Sequence, residues 1–271
     1  MAIIFKERCH MKSKFIQKIK NHIAFYLRED LQERISEEFE RAFVLNNRDL
    51  PATLVLPEGY GKGLPERVVE LLLARMTYHA GAKVLDVAHA NAMPCHLKMV
   101  ESLPQPAQLT GIDIAEPVYN TSTYYRESLV GDITRMTFDE GSFDLIWCIS
   151  ALEHFGMDNS GYTDNFRKEN NMDLEAVAEM IRILKRGGSL LVTVPYGKNE
   201  DHGWLRNYDK ESWLRVLAEA EKQADVKQYY FRHTFGSGWR ETRPEELQYV
   251  GYFDQANCGS GGLAAAYITK R

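Results

Sequence analysis

The chain has 271 residues, 44% of them hydrophobic and 26% charged, with a formal net charge of -5. That length supports one large domain, or a domain with a small accessory piece. The acidic balance argues against general nucleic-acid binding, which shows as a basic domain, and no apolar run approaches the roughly 20 residues that span a bilayer.

The opening MAIIF is too short for the apolar part of a signal peptide. Cys9, Cys95, Cys148 and Cys258 show neither CxxC nor Cys/His ligand spacing. A reduced, cytoplasmic setting is therefore expected, and no metal site. Lys6, Arg8, Lys12, Lys14, Lys18, Lys20 and Arg28 stand against one acid, Glu7, while Phe15, Ile16, Ile19 and Ile23 recur at helical spacing. This predicts a basic amphipathic helix, docked on the body or a second subunit, or touching an anionic membrane surface as a peripheral contact.

Residues 29–46 read as a second charged helix, followed by the Pro- and Gly-rich loop NNRDLPATLVLPEGYGKGLPE. Pro65 opens the next helix, with Val68, Val69, Leu72, Leu73 and Met76 as one apolar stripe. From Lys83 the pattern alternates: KVLDVA is a strand, MPCHLKMVESL a short helix, and QLTGIDI, SLVGDI and FDLIWCIS are strands. Asp173 is positioned to cap a helix through Leu184, with Gly187-Gly188 as its stop. SLLVTVPYG is a fifth strand, and Asp209 caps a helix over 210–223. VKQYYFRH and GLAAAYITK follow as strands with no helix between them. Buried strands alternating with helices imply a parallel sheet covered on both faces, closed here by an antiparallel hairpin.

The stretches VLDVAHANA, LTGIDI, LVGDIT before FDLIWCISALEHFG, and EMIRILKRGGSLLVTVPYG occur in this order. In them the chain resembles the class I S-adenosyl-L-methionine-dependent methyltransferases over about Leu64 to Lys270. The resemblance implies an α/β fold, a doubly wound Rossmann-like seven-stranded sheet with an antiparallel last strand, plus N-terminal helices. It divides the chain into a helical extension, 1–62, and a methyltransferase domain, 63–271.

It also implies an enzyme whose cofactor, S-adenosyl-L-methionine, lies beyond the carboxyl ends of the strands. Asp86 and the loop Ala88 to Ala92, including His89 and Ala90, would hold the methionine portion. Asp113, with Ile114 beside it, would accept from the ribose hydroxyls, and Asp132 from the adenine amino group, with Ile133 as an apolar wall. Ser150 and Ala151 would flank the sulfonium.

The alanines are informative. A pyrophosphate needs the close backbone approach that glycine allows, whereas a phosphate-free cofactor needs only small residues. Alanine disfavours positive φ, so the loop is expected to turn with ordinary angles or to place Asn91 in the left-handed region. His89 reads as a surface loop residue that can also contact the cofactor. A non-catalytic cofactor-binding relative is a second reading, and a nicotinamide-dependent oxidoreductase a third; the missing GxGxxG counts against the last.

Methyl transfer to a hydroxyl requires alignment and removal of a proton. His154 is the leading candidate base, with His202 as the second catalytic candidate. Tyr196, Trp204, Arg206 and Tyr208 form an aromatic and polar set suited to a small sugar-like substrate. The polar insertion MDNSGYTDNFRKENNMD reads as a lid. GLPER and VPYG resemble, more loosely, the methyltransferases of polysaccharide biosynthesis, which makes sugar O-methylation the expected reaction.

Overall fold

The computed structural model describes residues 28–46, 50–104, 108–254 and 259–271. The expected basic amphipathic helix, Cys9 and Cys258 lie outside the described residues. Five strands form the parallel part of one sheet: β1 (Lys83–Val87), β2 (Gln108–Asp113), β3 (Glu127–Val130), β4 (Phe143–Ile149) and β5 (Leu184–Pro195). A short ribbon of β6 (Glu200–Asp201) and β7 (Arg206–Asn207) follows. The strands β8 (Ala224–Thr234), β9 (Gly238–Glu241) and β10 (Gly262–Lys270) complete the sheet.

Its order is β3-β2-β1-β4-β5-β10-β8-β9. The chain builds outward from β1 through β2 to β3, then returns to place β4 on the other side of β1. The switch point therefore lies between β1 and β4, where open α/β sheets bind ligands. β10 inserts antiparallel between β5 and β8, the reversed last strand that was expected. Among the described residues the sheet has eight strands rather than seven, because GWRE inside the long loop pairs antiparallel with β8 as β9.

The helices are α1 (Glu29–Leu45), α2 (Arg67–Thr77), α3 (Pro94–Glu101), α4 (Met172–Ile183) and α5 (Lys210–Glu221). α2 is buried around nearly its whole circumference, not along one stripe. The reason is α1, whose Leu31, Ile35 and Phe39 close over its outer side in the same core as Val84 and Trp147.

Asp173 does not cap α4. Asn171, at φ 64, precedes the helix, and Asp173 sits in its first turn with its carboxylate taken by Arg206 and Tyr208. Gly187 and Gly188 lie inside β5, which begins directly where α4 ends. At α5 the expected cap is present: Asp209 accepts from the Ser212 backbone N–H at 2.9 Å, and the Ser212 hydroxyl accepts from the Asp209 N–H at 2.9 Å. No helix among the described residues is long and apolar enough to cross a membrane.

Candidate active site

A cavity of about 510 Å³ opens beyond the carboxyl ends of β1, β2 and β4. Of the residues expected to hold the cofactor, Asp86, Ala88, His89, Asp113, Ile114, Asp132, Ile133, Ser150 and Ala151 line it. Ala90 does not; its N–H instead donates to Asp113 Oδ2 at 2.9 Å, so the loop after β1 braces the acid that ends β2.

The chain turns out of β1 at Ala88 itself, which adopts φ 67 and ψ 43. Asn91 lies in a 3-10 turn, so the expected use of Asn91 in the left-handed region is replaced by strain at an alanine. Ser150, leaving β4 at φ 45, is a second non-glycine residue with positive φ. Both line the cavity, and backbone strain of this kind clusters where a ligand dictates the path of the chain.

His89 is buried, not a surface residue. Its ring covers Gly111 of β2 so closely that a Cβ there would lie 2.3 Å from it, and it packs against Tyr125 at 5.1 Å. The glycine that the loop lacks has its counterpart in the neighbouring strand, where it leaves room for an imidazole.

Each strand-end acid has polar partners. Asp86 Oδ2 accepts from the Tyr125 hydroxyl at 2.5 Å and lies 2.9 Å from His96 Nε2. Burial pushes this carboxyl up, but His96 and Tyr125 outweigh it and hold it below its ordinary range. Asp113 accepts from the backbone of Ala90 and Ala115 (3.0 Å) and from the Tyr162 hydroxyl at 3.2 Å. Burial dominates there and raises its carboxyl. Asp132 gives one oxygen to the N–H and hydroxyl of Thr134 and the other to Arg167 Nε at 2.9 Å. Tyr162 and Arg167 come from the polar insertion after β4, which therefore lies across the cavity.

The far end is built from α2 and the turn after β4. Glu70, fully buried, accepts from Ser150 Oγ at 2.5 Å and Thr193 Oγ1 at 2.7 Å, with Arg67 3.3 Å from its second oxygen. Glu66 accepts from the Ser260 N–H at 3.1 Å and faces the cavity beside Arg67. Glu153 is buried, and its Oε2 has no hydrogen-bond partner.

His154 Nδ1 lies 2.8 Å from the Trp204 carbonyl, which can only accept, so that nitrogen carries the proton and Nε2 is the acceptor. Burial lowers the imidazole to about 4, with Arg206 adding to the effect against the Trp204 hydrogen bond, so the ring is neutral near pH 7.

Glu66, Glu70, Glu153, Tyr162 and Arg167 are site residues that the sequence pattern did not single out. Glu70 had a signal: the lone acid in RVVELLLARMT, flanked on both sides by apolar residues. Burying such an acid requires partners.

Four expected site residues lie elsewhere. Tyr196 packs on Tyr230 and lines a separate small cleft with Lys198 and Asp209. Arg206 binds Asp173 and the Phe155 carbonyl, and Tyr208 is buried with its hydroxyl on Asp173. His202 stands 3.4 Å from Glu200, against Tyr252 and Phe253. Their polar and aromatic density serves to pin the β6–β7 ribbon to α4 and to the loop before β10. Of the substrate set only Trp204 reaches the cavity.

The cavity is lined by seven acids (Glu66, Asp86, Asp113, Glu116, Asp132, Glu153 and Asp158) and two arginines (Arg67 and Arg167). Both arginines pair with carboxylates. Such a lining suits a cation and opposes a pyrophosphate, so the residues present fit a phosphate-free sulfonium cofactor and not a dinucleotide.

Residues 85–192 match the family described as Methyltransferase domain. Among solved structures, the chain is similar to the Burkholderia thailandensis 1,6-didemethyltoxoflavin-N1-methyltransferase, at 12% identity and TM-score 0.46, covering 70% of this chain and 72% of that one. A Methanosarcina mazei S-adenosylmethionine-dependent methyltransferase matches at 12% identity and TM-score 0.48, over 73% of this chain and 96% of that one. The cyclase SpnF matches at 19% identity and TM-score 0.48, over 76% and 80%. The matched segment, from β1 to β5, contains the switch point and nearly all of the strand-end residues of the cavity. Residues 85–192 thus carry a methyltransferase domain.

Proposed function

We propose that the protein O-methylates a small, hydroxyl-rich acceptor of the sugar or polysaccharide-precursor type. The observation that carries this reading is the lining of the cavity, which combines the carboxylates of Glu66 and Glu153 with Tyr252 and the indole of Trp204. Carboxylates suit ligands that offer several hydroxyl donors, and an aromatic face suits the C–H surface of a sugar ring. The resemblance of GLPER and VPYG to polysaccharide-biosynthesis methyltransferases supports the same class. GLPER supplies Glu66 and Arg67 to this cavity.

The bound cofactor supplies a methyl carbon made electrophilic by its sulfonium. Asp113 holds the ribose hydroxyls, Asp86 and His89 shape the end that takes the methionine portion, and Ile114 and Ile133 flank the adenine. Ser150 and Ala151 border the transferring group, with Glu70 locking the Ser150 hydroxyl. His154, neutral and fixed by Trp204, orients the acceptor. Within the N-terminal extension, α1 forms part of the body. The basic segment before Arg28 is an extra contact for a second subunit or an anionic surface. A reduced, cytoplasmic setting accords with the buried free thiols Cys95 and Cys148.

The test is to incubate the purified protein with S-adenosylmethionine and a panel of free sugars, nucleotide sugars and oligosaccharides. S-adenosylhomocysteine formation and a methyl mass gain on the acceptor are then read. Methylation confined to amines or other acceptors lacking hydroxyls would overturn the assignment.

A further inference from the structure

His154, the base expected from LEHF, is poorly suited to accepting a proton, because its partly exposed ring is held neutral by desolvation and by the charge of Arg206. Its neighbour in sequence has the opposite character. Glu153 lines the cavity on the turn that follows β4, 3% exposed, with its Oε2 unpartnered. A buried carboxylate oxygen without a donor is costly, and a structure keeps such a group where a ligand completes it.

The charged groups around Glu153 are Glu66, which precedes α2, and Arg67 and Glu70 within it. Cys148 of β4, Tyr208 after β7 and Tyr252 also lie within its electrostatic reach, each raised as a neutral acid in part by it. Two acids outnumber one arginine, so these neighbours add to burial in favouring the protonated form. Burial is the largest cause, and the carboxyl stands well above its ordinary range.

We propose that Glu153 is the proton acceptor of this cavity: it holds a proton while no cation is present, loses it to solvent when the methyl donor binds, and as a carboxylate receives the proton that the acceptor's hydroxyl gives up. In the transfer the acceptor oxygen bonds to the methyl carbon. The carbon–sulfur bond breaks with its electron pair going to sulfur, and the hydroxyl proton goes to Glu153. The positive charge lost at sulfur is matched by the negative charge lost at the carboxylate, so the cavity's net charge is unchanged. The final step rests on a hydroxyl acceptor; the proton release on binding does not.

The test is calorimetry of S-adenosylmethionine and of S-adenosylhomocysteine, near pH 7, in two buffers of different ionisation enthalpy. Both ligands carry the same amino-acid group, so the difference in proton release between them isolates the response to the sulfonium. The wild-type chain is expected to release more protons with the sulfonium compound, and Glu153→Gln to lose that difference while still binding S-adenosylhomocysteine. His154→Gln is expected to retain it.

On the wild-type chain alone, affinity for S-adenosylmethionine relative to S-adenosylhomocysteine should rise with pH across neutrality, because the cation prefers the carboxylate. A pH-independent ratio, or an undiminished difference in Glu153→Gln, overturns the proposal. Sulfonium-dependent release in a protein that methylates none of the hydroxylated panel overturns the acceptor class and leaves the proton site standing.

Discussion

The two ends of the cavity solve the problem of buried charge in different ways. Toward β2 and β3, Asp113 and Asp132 are satisfied by main-chain N–H groups, Thr134, Tyr162 and Arg167 before any ligand arrives. Toward β4 and β5, Glu70 gives one oxygen to Ser150 and Thr193 and keeps Arg67 3.3 Å from the other, but Glu153 Oε2 has neither hydrogen bond nor ion pair. The first end is preorganised, so its carboxylates are already aimed and binding there reorders little. The second end keeps a group in an unfavourable state, and such groups respond most strongly when charge enters or leaves. Recognition and proton chemistry are thereby assigned to different strands of one sheet.

The largest effect should come from the preorganised end. Asp113→Ala removes a carboxylate aimed by two backbone donors, and charge-assisted hydrogen bonds contribute about 1.5–3 kcal/mol each. S-adenosylmethionine affinity should fall about 100-fold by calorimetry. A loss under threefold would break the comparison by showing that Asp113 only braces the loop after β1.

The second effect concerns stability at the proton-handling end. His154 titrates at about 4 in the folded chain, below its ordinary value of 6.5. A histidine lowered in this way contributes stability that is complete above pH 6.5 and is lost as pH falls toward 4. Discounted for its partial exposure, the contribution is about 2 kcal/mol. Acid melts of the wild-type chain should therefore lose more stability between these limits than those of His154→Gln. Parallel curves would mean that the ring is solvated.

Arg167→Ala separates the ends in a third way. The arginine occupies one oxygen of Asp132, the acid expected to meet the adenine amino group. Such a partly exposed ion pair contributes up to about 1 kcal/mol. Freeing that oxygen should tighten S-adenosylmethionine binding about threefold, while the insertion carrying Tyr162 becomes easier to cleave by protease. Weaker binding would place Arg167 among the cofactor's own contacts rather than as its competitor.

Much of the preorganised end was legible in the sequence. Asp86, Asp113 and Asp132 each stand at the end of an apolar run, and the period of the pattern determines where a strand must stop. The proton-handling end was harder to read because its residues are distant in the chain. Glu70 meets Thr193 across 123 positions, and no local pattern marks that meeting. The loop after β5 misled for the opposite reason. Its aromatic and basic residues are dense locally, but Asp173, 33 positions before Arg206, draws that arginine away from the cavity. Glu153 was visible only as half of a dipeptide in which histidine carried the more familiar chemistry.

The smallest effect tests the loop where glycine is missing. Ala88 holds φ 67 and ψ 43, a conformation that costs an L-residue about 1–2 kcal/mol. Glycine would remove that cost but would bring back about 0.4–1 kcal/mol of unfolded-chain entropy. Ala88→Gly should thus stabilise the protein by about 0.5–1 kcal/mol, a rise of about 2 °C in Tm at this chain length. Cofactor affinity should stay within about twofold, because the Ala90 N–H that braces Asp113 is set by the 3-10 turn after Ala88 and not by its methyl group. A marked loss of affinity at unchanged or higher Tm would show that the strained alanine is itself part of the aim. The preorganisation of this end would then reside in the backbone of one residue rather than in the network around Asp113.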